Sequence, residues 1–250
     1  MAVMDEFKEE RENVKAQPFK KRLEYFIDYY KWHVVIIAFG LIFCISMIHH
    51  LMTSKDTAFM AVLIDCIANE ETADQYTAEL EELFGIDTQK EEIFLDSSFQ
   101  ISVEANSSTT EILFVRIAAQ QLDVMLSPED IFDRYIYNDV FIDLREVLSP
   151  EQLAYYEDSF YYVDYAKILD QTEYEATLTD IGYVDTTNHR STEGMEQPIP
   201  IGIYVTGSED FQKHYTFNSD NQEVVFGLAA YSEHMDYALQ FLDHMTGRSE

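Results

Sequence analysis

The side chains most suited to chemistry gather in "AYYEDSFYYVDY" (154–165), where six aromatic rings interleave with three acids. Tyr rings flanked by carboxylates can hold a sugar ring or a cationic solute by ring-face contact and cation–π attraction. The same spacing also suits an amphipathic helix followed by a strand, with the rings spent on packing. Four histidines, His189, His214, His234 and His244, lie beyond the N-terminal quarter. Asp236, Gln240 and His244 share one helical face, a pattern that a solvated helix side explains better than a metal site. "FNSDNQE" (217–223) alternates oxygen-bearing side chains but lacks the glycine and distal Glu of a calcium loop, so it reads as a turn. G-x-S-x-G, H-E-x-x-H, C-x-x-C, P-loop and G-x-G-x-x-G patterns are all missing from the sequence, which has only eight glycines. No enzymatic activity, cofactor or bound metal is therefore expected.

The elements that must position these residues follow from apolar periodicity. "AFMAVLIDC" (58–66) is a continuous apolar run suited to a strand buried on both faces. "NEETADQYTAELEELFG" (69–85) places Tyr76, Leu80, Leu83 and Phe84 on one helical face, with Gly85 as its stop. "EEIFLDSSF" (91–99) reads as a strand, 107–121 as a helix with Ser/Thr caps, and "LDVML" (122–126) as a strand. "SPEDIFDRYIYND" (127–139) reads as a helix with Ser127 as N-cap and Pro128 in its first turn. Strand alternating with helix three times predicts a parallel sheet covered on both faces. "SPEQLAYYEDSF" (149–160) repeats the Ser-Pro helix start. "YYVDYAKI" and "ATLTDIGYV" read as strands of a small antiparallel unit, and 185–197 as a loop. "PIGIYVT" (200–206) and "EVVFGLAAY" (223–231) read as strands, and 232–245 as a closing helix.

Charge separates the chain into unlike parts. Its 250 residues carry a net charge of −31. Residues 1–55 hold 8 of the 16 Lys/Arg and 7 of the 47 Asp/Glu, so 56–250 set 8 cations against 40 acids, a net of −32. Such a field repels phosphate backbones and excludes nucleic acid as a partner. Trp32–Met52 is 21 residues without Asp, Glu, Lys or Arg, and about 20 helical residues cross a hydrocarbon core. Tyr29, Tyr30 and Trp32 stand at one end, where amphipathic rings favour the interface. The preceding segment is too long and too acidic for a secretory signal, and bulky Ile42 and Phe43 before Cys44 argue against a lipoprotein signal. The expectation is an uncleaved span, with the bilayer itself as partner. Lys8, Arg11, Lys15, Lys20, Lys21, Arg22 and Lys31 precede it and only Lys55 follows closely, which predicts a cytoplasmic N-terminus and an extracytoplasmic remainder. The organisation is thus a cytoplasmic arm (1–31) with a juxtamembrane amphipathic helix carrying Phe19, Leu23, Phe26 and Tyr30, a span (32–52), and an outer domain (56–250). Cys44 and Cys66 are too far apart in role to pair, so no internal disulfide is expected.

Two stretches resemble the extracytoplasmic solute-binding proteins of type 2 periplasmic-binding fold. The first is 120–153, with Asp123 and Val124 ending a strand, then Asp143, Leu144 and Leu148. The second is 223–245, with Gly227 in a strand, Ser232 in a turn, and Ala238 and Phe241 on a helix. The resemblance covers about a quarter of the chain. It implies a three-layer α/β sheet domain with a small, reduced second lobe, membrane-anchored, that binds or senses a solute at a bacterial envelope, beside a transporter or another envelope protein. It places a ligand between the carboxyl edge of the sheet and the lobe, where open α/β sheets bind. Asp65, Asp96 and Ser127 would face it from strand ends, and Tyr161 and Tyr162 from the lobe. The domain's charge favours a neutral or cationic solute. The alternative is an assembly partner in an envelope complex with no small-molecule ligand.

Overall fold

The computed structural model describes residues 18–101, 107–136, 140–169, 187–218 and 223–248. The chain divides into two compact units, Met1–Ser54 and Lys55–Glu250. In the first, one continuous helix, α1, runs over Phe19–Thr53 and ends where the Ser54 N–H donates to the His50 carbonyl. Side chains are described without a break over 35–50 of α1, and all are exposed. Among the described residues no helix is long and apolar enough to cross a membrane. The charged run expected as helix over 4–16 lies outside the described residues.

The second unit is built on a six-stranded mixed sheet of order β3-β1-β4-β8-β6-β5. Its strands are β1 (Asp56–Leu63), β3 (Glu91–Asp96), β4 (Val124–Pro128), β5 (Phe160–Asp164), β6 (Pro198–Val205) and β8 (Val224–Leu228). A separate ribbon pairs β2 (Cys66–Ala68) with β7 (Tyr215–Phe217). The helices are α2 (Ala73–Phe84), α3 (Ser107–Ala118), α4 (Glu129–Phe132), α5 (Pro150–Tyr156), α6 (Tyr165–Ile168), α7 (Phe211–His214) and α8 (Met235–Thr246). β3, β1 and β4 are parallel, as the strand–helix alternation requires. β8 enters antiparallel to both β4 and β6, and β5 antiparallel to β6.

Alternation along each strand sorts the core into two layers. Phe59, Ala61, Leu63, Val124, Leu126, Val224, Phe226 and Leu228 pack against α2 and α8, through Tyr76, Leu80, Phe241 and Leu242. Val62, Ile64, Met125, Val225 and Tyr161 point the other way, against Leu113 and Ile117 of α3 and against Ile131, Phe132, Ile136 and Phe141. α2 and α3, consecutive crossovers, therefore cover opposite faces, which makes the domain three-layered. α2 ends at Gly85 in the left-handed conformation, φ 67°, and α5 begins with a capping box between Ser149 and Gln152.

Several boundaries differ from the periodicity, each for a local reason. The apolar run 58–66 breaks at Asp65, whose φ of 51° turns the chain out of β1 into β2. Ser127 and Pro128 belong to β4 rather than to a helix start. Pro128 is extended (ψ 146°) and pairs with Val224, so the helix begins at Glu129 and ends at Phe132. The "YYVDYAKI" strand stops at Asp164, whose carboxylate accepts the Ala166 N–H and opens α6. That strand, expected in a small antiparallel unit, instead joins the main sheet through β6, and Lys55–Glu250 forms one compact unit. The expected strand in 176–184 and most of the 217–223 turn lie outside the described residues, and the Ser/Thr run expected to cap α3 forms its first turn, from Ser107.

Candidate functional site

Asp65, Asp96 and Ser127 do stand together at the carboxyl edge of the three parallel strands, but each is engaged in the fold. Asp65 is buried, its N–H donating to the Phe99 carbonyl and its own carbonyl accepting from the Asn218 N–H. The chain then passes into the β2–β7 ribbon. Asp96 forms a buried ion pair with Arg116 of α3, 2.7 Å, and accepts from Ser98 Oγ at 2.6 Å. The Arg116 guanidinium also lies over Phe99, 5.4 Å from its centroid. Ser127 is fully buried and donates to the Pro128 carbonyl at 3.2 Å.

Tyr161 and Tyr162 are neighbours on β5 and so point to opposite faces. Tyr161 is fully buried in the α3-side layer. Its hydroxyl donates to Asp133 at 2.5 Å, and its ring stacks on His189 at 4.2 Å. The His189 Nδ1–H donates to the Tyr162 carbonyl at 2.8 Å, and its other nitrogen lies 3.9 Å from Asp133. This Tyr–Asp–His set ties the 187–190 loop to the sheet; Asp133 and His189 have no period that marks them as partners in the sequence. Tyr162 is half-buried on the α2/α8 side, where burial pushes its phenol above its ordinary pKa.

A cavity of about 550 Å³ lies farther along the same carboxyl edge, over the antiparallel half of the sheet. None of the five expected residues lines it. Its wall is the end of β6 with Thr206 and Gly207, the turn α7, β7, and the start of β8. The volume suits a small ligand. Half-buried Phe217 supplies aromatic surface, backed by buried Phe211 and Tyr215, and Ser159, Thr206, Gln212 and Thr216 supply hydroxyls and an amide.

One charged assembly borders this cavity. The Arg190 guanidinium sits 3.8 Å from the Tyr204 ring centroid. Its Nε donates to Glu223 at 2.9 Å, and its Nη2 donates to the second oxygen of the same carboxylate. The Tyr204 hydroxyl donates to Glu129 at 2.6 Å. Hydrogen bonding to Glu223 raises the Arg190 pKa further, while burial and then Glu129 hold the Tyr204 phenol well above its ordinary value. The cation is thus committed to one ring face and one carboxylate, leaving neutral donors and acceptors for a ligand.

A second cavity of about 420 Å³ opens at the opposite edge, beside Asp123, Ser232 and His234. Ser232 Oγ donates to Asp123 at 2.6 Å, and His234 Nδ1 lies 3.2 Å from the same carboxylate oxygen. Nucleophilic catalysis needs the imidazole between serine and acid; here both act on the acid. Asp123 also accepts the Met60 N–H at 2.8 Å. It is a clamp joining β1, β4 and the turn before α8, and Asp123 and Ser232 are two of the residues carrying the solute-binding-protein resemblance.

No protein-family model matches the chain, and no curated protein is significantly similar to it.

Proposed function

We propose that this is a single-pass membrane protein whose outer domain binds a small neutral, polar solute at the carboxyl edge of its sheet, in the manner of a solute-binding protein. The carrying observation is the cavity bordered by Tyr204 and Arg190, where aromatic surface, hydroxyls and an amide surround an already neutralised cation. Its position agrees with the edge at which open α/β sheets bind ligands. The membrane part rests on Trp32–Met52, which lies within the unbroken helix α1 and would cover about 31 Å. Val35, Ile36, Phe39, Ile42, Phe43 and Ile45 are each more than half exposed on it. Water does not tolerate so long an apolar row, whereas lipid does.

Two measurements test this reading. Protease added to intact, wall-stripped cells should remove the domain and leave the N-terminal arm protected; a mature protein starting after residue 50 overturns the topology. The full chain, screened by thermal shift against sugars, amino acids and amines, should melt several degrees higher with its solute at 100 times Kd. Gln212→Ala and Thr216→Val, both at exposed positions of the cavity wall, should abolish that shift without altering the unliganded fold.

One observation favours a second reading, an assembly partner in an envelope complex. α3 leaves Ile112, Phe114 and Val115 at least half exposed, and Phe94 on the edge strand β3 is 44% exposed. An apolar helix face near an open edge is suited to a protein contact. If no compound shifts the melting curve, and Ile112→Glu with Val115→Glu releases a captured envelope protein, this reading replaces the first.

A further inference from the structure

Glu79 on α2, Asp210 just before α7, and His214 at its end converge on the side of α7 away from the cavity described above. One donor atom from each lies within 4.8 Å of the others. Asp210 and His214 are four residues apart, so the one-turn helix puts both on one face. His214 is 5% exposed, and its Nδ1–H donates to the Thr72 carbonyl at 2.8 Å. That bond fixes the tautomer and leaves Nε2 as the lone-pair nitrogen, the arrangement that orients a metal-ligating imidazole. Thr72 Oγ1 and the Asn69 amide both donate to the Lys213 carbonyl, and the Asn69 N–H donates to that of His214. The ligand-bearing turn is therefore held before any ion arrives.

A second observation points to a ligand here. Tyr76 is 1% exposed and its hydroxyl has no hydrogen-bond partner among the described residues; the buried Nε2 of His244 likewise has none among them. The Tyr76 ring lies 5.2 Å from that of His214 and 5.3 Å from that of His244. A buried hydroxyl without a partner is costly. A water on a metal ion at this point would satisfy it.

We propose that Glu79, Asp210 and His214 form a binding site for a divalent transition-metal ion of the zinc class, with Tyr76 and His244 facing its open coordination position. Two carboxylates and one imidazole suit zinc better than calcium or magnesium, which favour all-oxygen sets. Tetrahedral donors about 2.1 Å from zinc lie about 3.4 Å apart, so donors now within 4.8 Å of one another must close by at most about 1.4 Å. Exposed Asp210 can supply that movement. Its Oδ1 holds Lys213 at 2.8 Å, leaving Oδ2 for the ion. The ion would cross-link α2 to α7, whose Phe211 and Gln212 line the cavity, but the site stands whether or not that cavity holds a solute.

The test uses the full chain, stripped with chelator and titrated with ZnCl2 by calorimetry and thermal shift, with CaCl2 and MgCl2 as comparison arms. Zinc should bind one per chain and raise the melting temperature by several degrees, and the other two ions should not. Asp210→Asn and Glu79→Gln should each weaken zinc at least tenfold, with the metal-free melting temperature unchanged. His214→Ala should abolish the visible absorption of the cobalt-loaded protein. His234→Ala, in the Asp123 clamp, should leave zinc affinity unaltered. Absence of zinc binding tighter than millimolar, or affinity undiminished in both Asp210→Asn and Glu79→Gln, overturns the proposal.

Discussion

At the scale of single residues, the most consequential side chain is one that is missing. A Cβ on Gly227 would stand 2.6 Å from both Phe132 and Phe141, whose rings stack 4.2 Å apart across β8. Phe132 in turn meets Tyr161 edge-on at 5.1 Å, and Tyr161 anchors Asp133. A methyl group would displace the whole aromatic layer. Gly227→Ala is expected to destabilise the domain by about 1–3 kcal/mol, as overpacked cores do, with a lower denaturation midpoint and unchanged slope in urea. An unchanged midpoint would show that the Phe pair shifts freely. The Tyr76, His214 and His244 group is the counterexample: aromatic packing there leaves the Tyr76 hydroxyl and the His244 Nε2 without partners among the described residues, the deficit on which the proposed metal site draws.

At the scale of elements, the junction of β5, α6 and β6 depends on one carboxylate. Asp164 accepts the N–H groups of Glu196 and Gln197, each at 2.9 Å, and of Ala166 at 3.2 Å. Burial pushes its carboxyl up, but the three backbone donors outweigh burial and bring its pKa below the ordinary 3.8. A depressed folded pKa stabilises the protein above the ordinary value, and that contribution disappears as pH falls through the folded value. Asp164→Asn should therefore melt lower than the parent at pH 7, and the gap should close as pH falls through the lowered folded value. A gap independent of pH would mean that the charge is irrelevant and only the hydrogen-bond geometry counts. A parallel tie joins α5 to α8, where Asp243 accepts from Gln152 and Tyr156, both at 3.0 Å, and pairs with Arg248.

At the scale of the molecule, the two units have unlike surfaces: an apolar helix row in one, and a strongly acidic exterior over a two-layered core in the other. Cys66 is the single cysteine of the second unit, fully buried, and burial pushes its thiol up to about 12. It is therefore neither a nucleophile nor a disulfide partner at neutral pH. Residues 55–250 produced alone should fold as a soluble domain, with the same melting temperature with and without reductant. A monomer that melts lower in reductant, or a domain that aggregates without α1, would contradict this.

What the amino-acid order determined by itself was the local and the additive. Apolar runs and helical spacing placed β1, α2, β3, α3 and α8 to within a few residues, because burial on one face or two leaves a period in the chain. Ser149 and Gly85 marked their helix ends through bonds made within a few residues. Net charge and the uncharged stretch 32–52 are sums, readable without coordinates. Ser127 and Pro128 show the limit: a Ser-Pro start is a sound local signal, but pairing with β8, about a hundred residues away, held them in a strand. The same applies to "YYVDY", whose strand character was legible but whose sheet was not. Only tertiary structure decided that Tyr161 meets Asp133 and His189, that Arg190 neutralises Glu223 above the cavity, and that Glu79 faces His214. Each of these pairs joins residues far apart in the chain, and no periodicity records which distant elements a sheet will bring side by side.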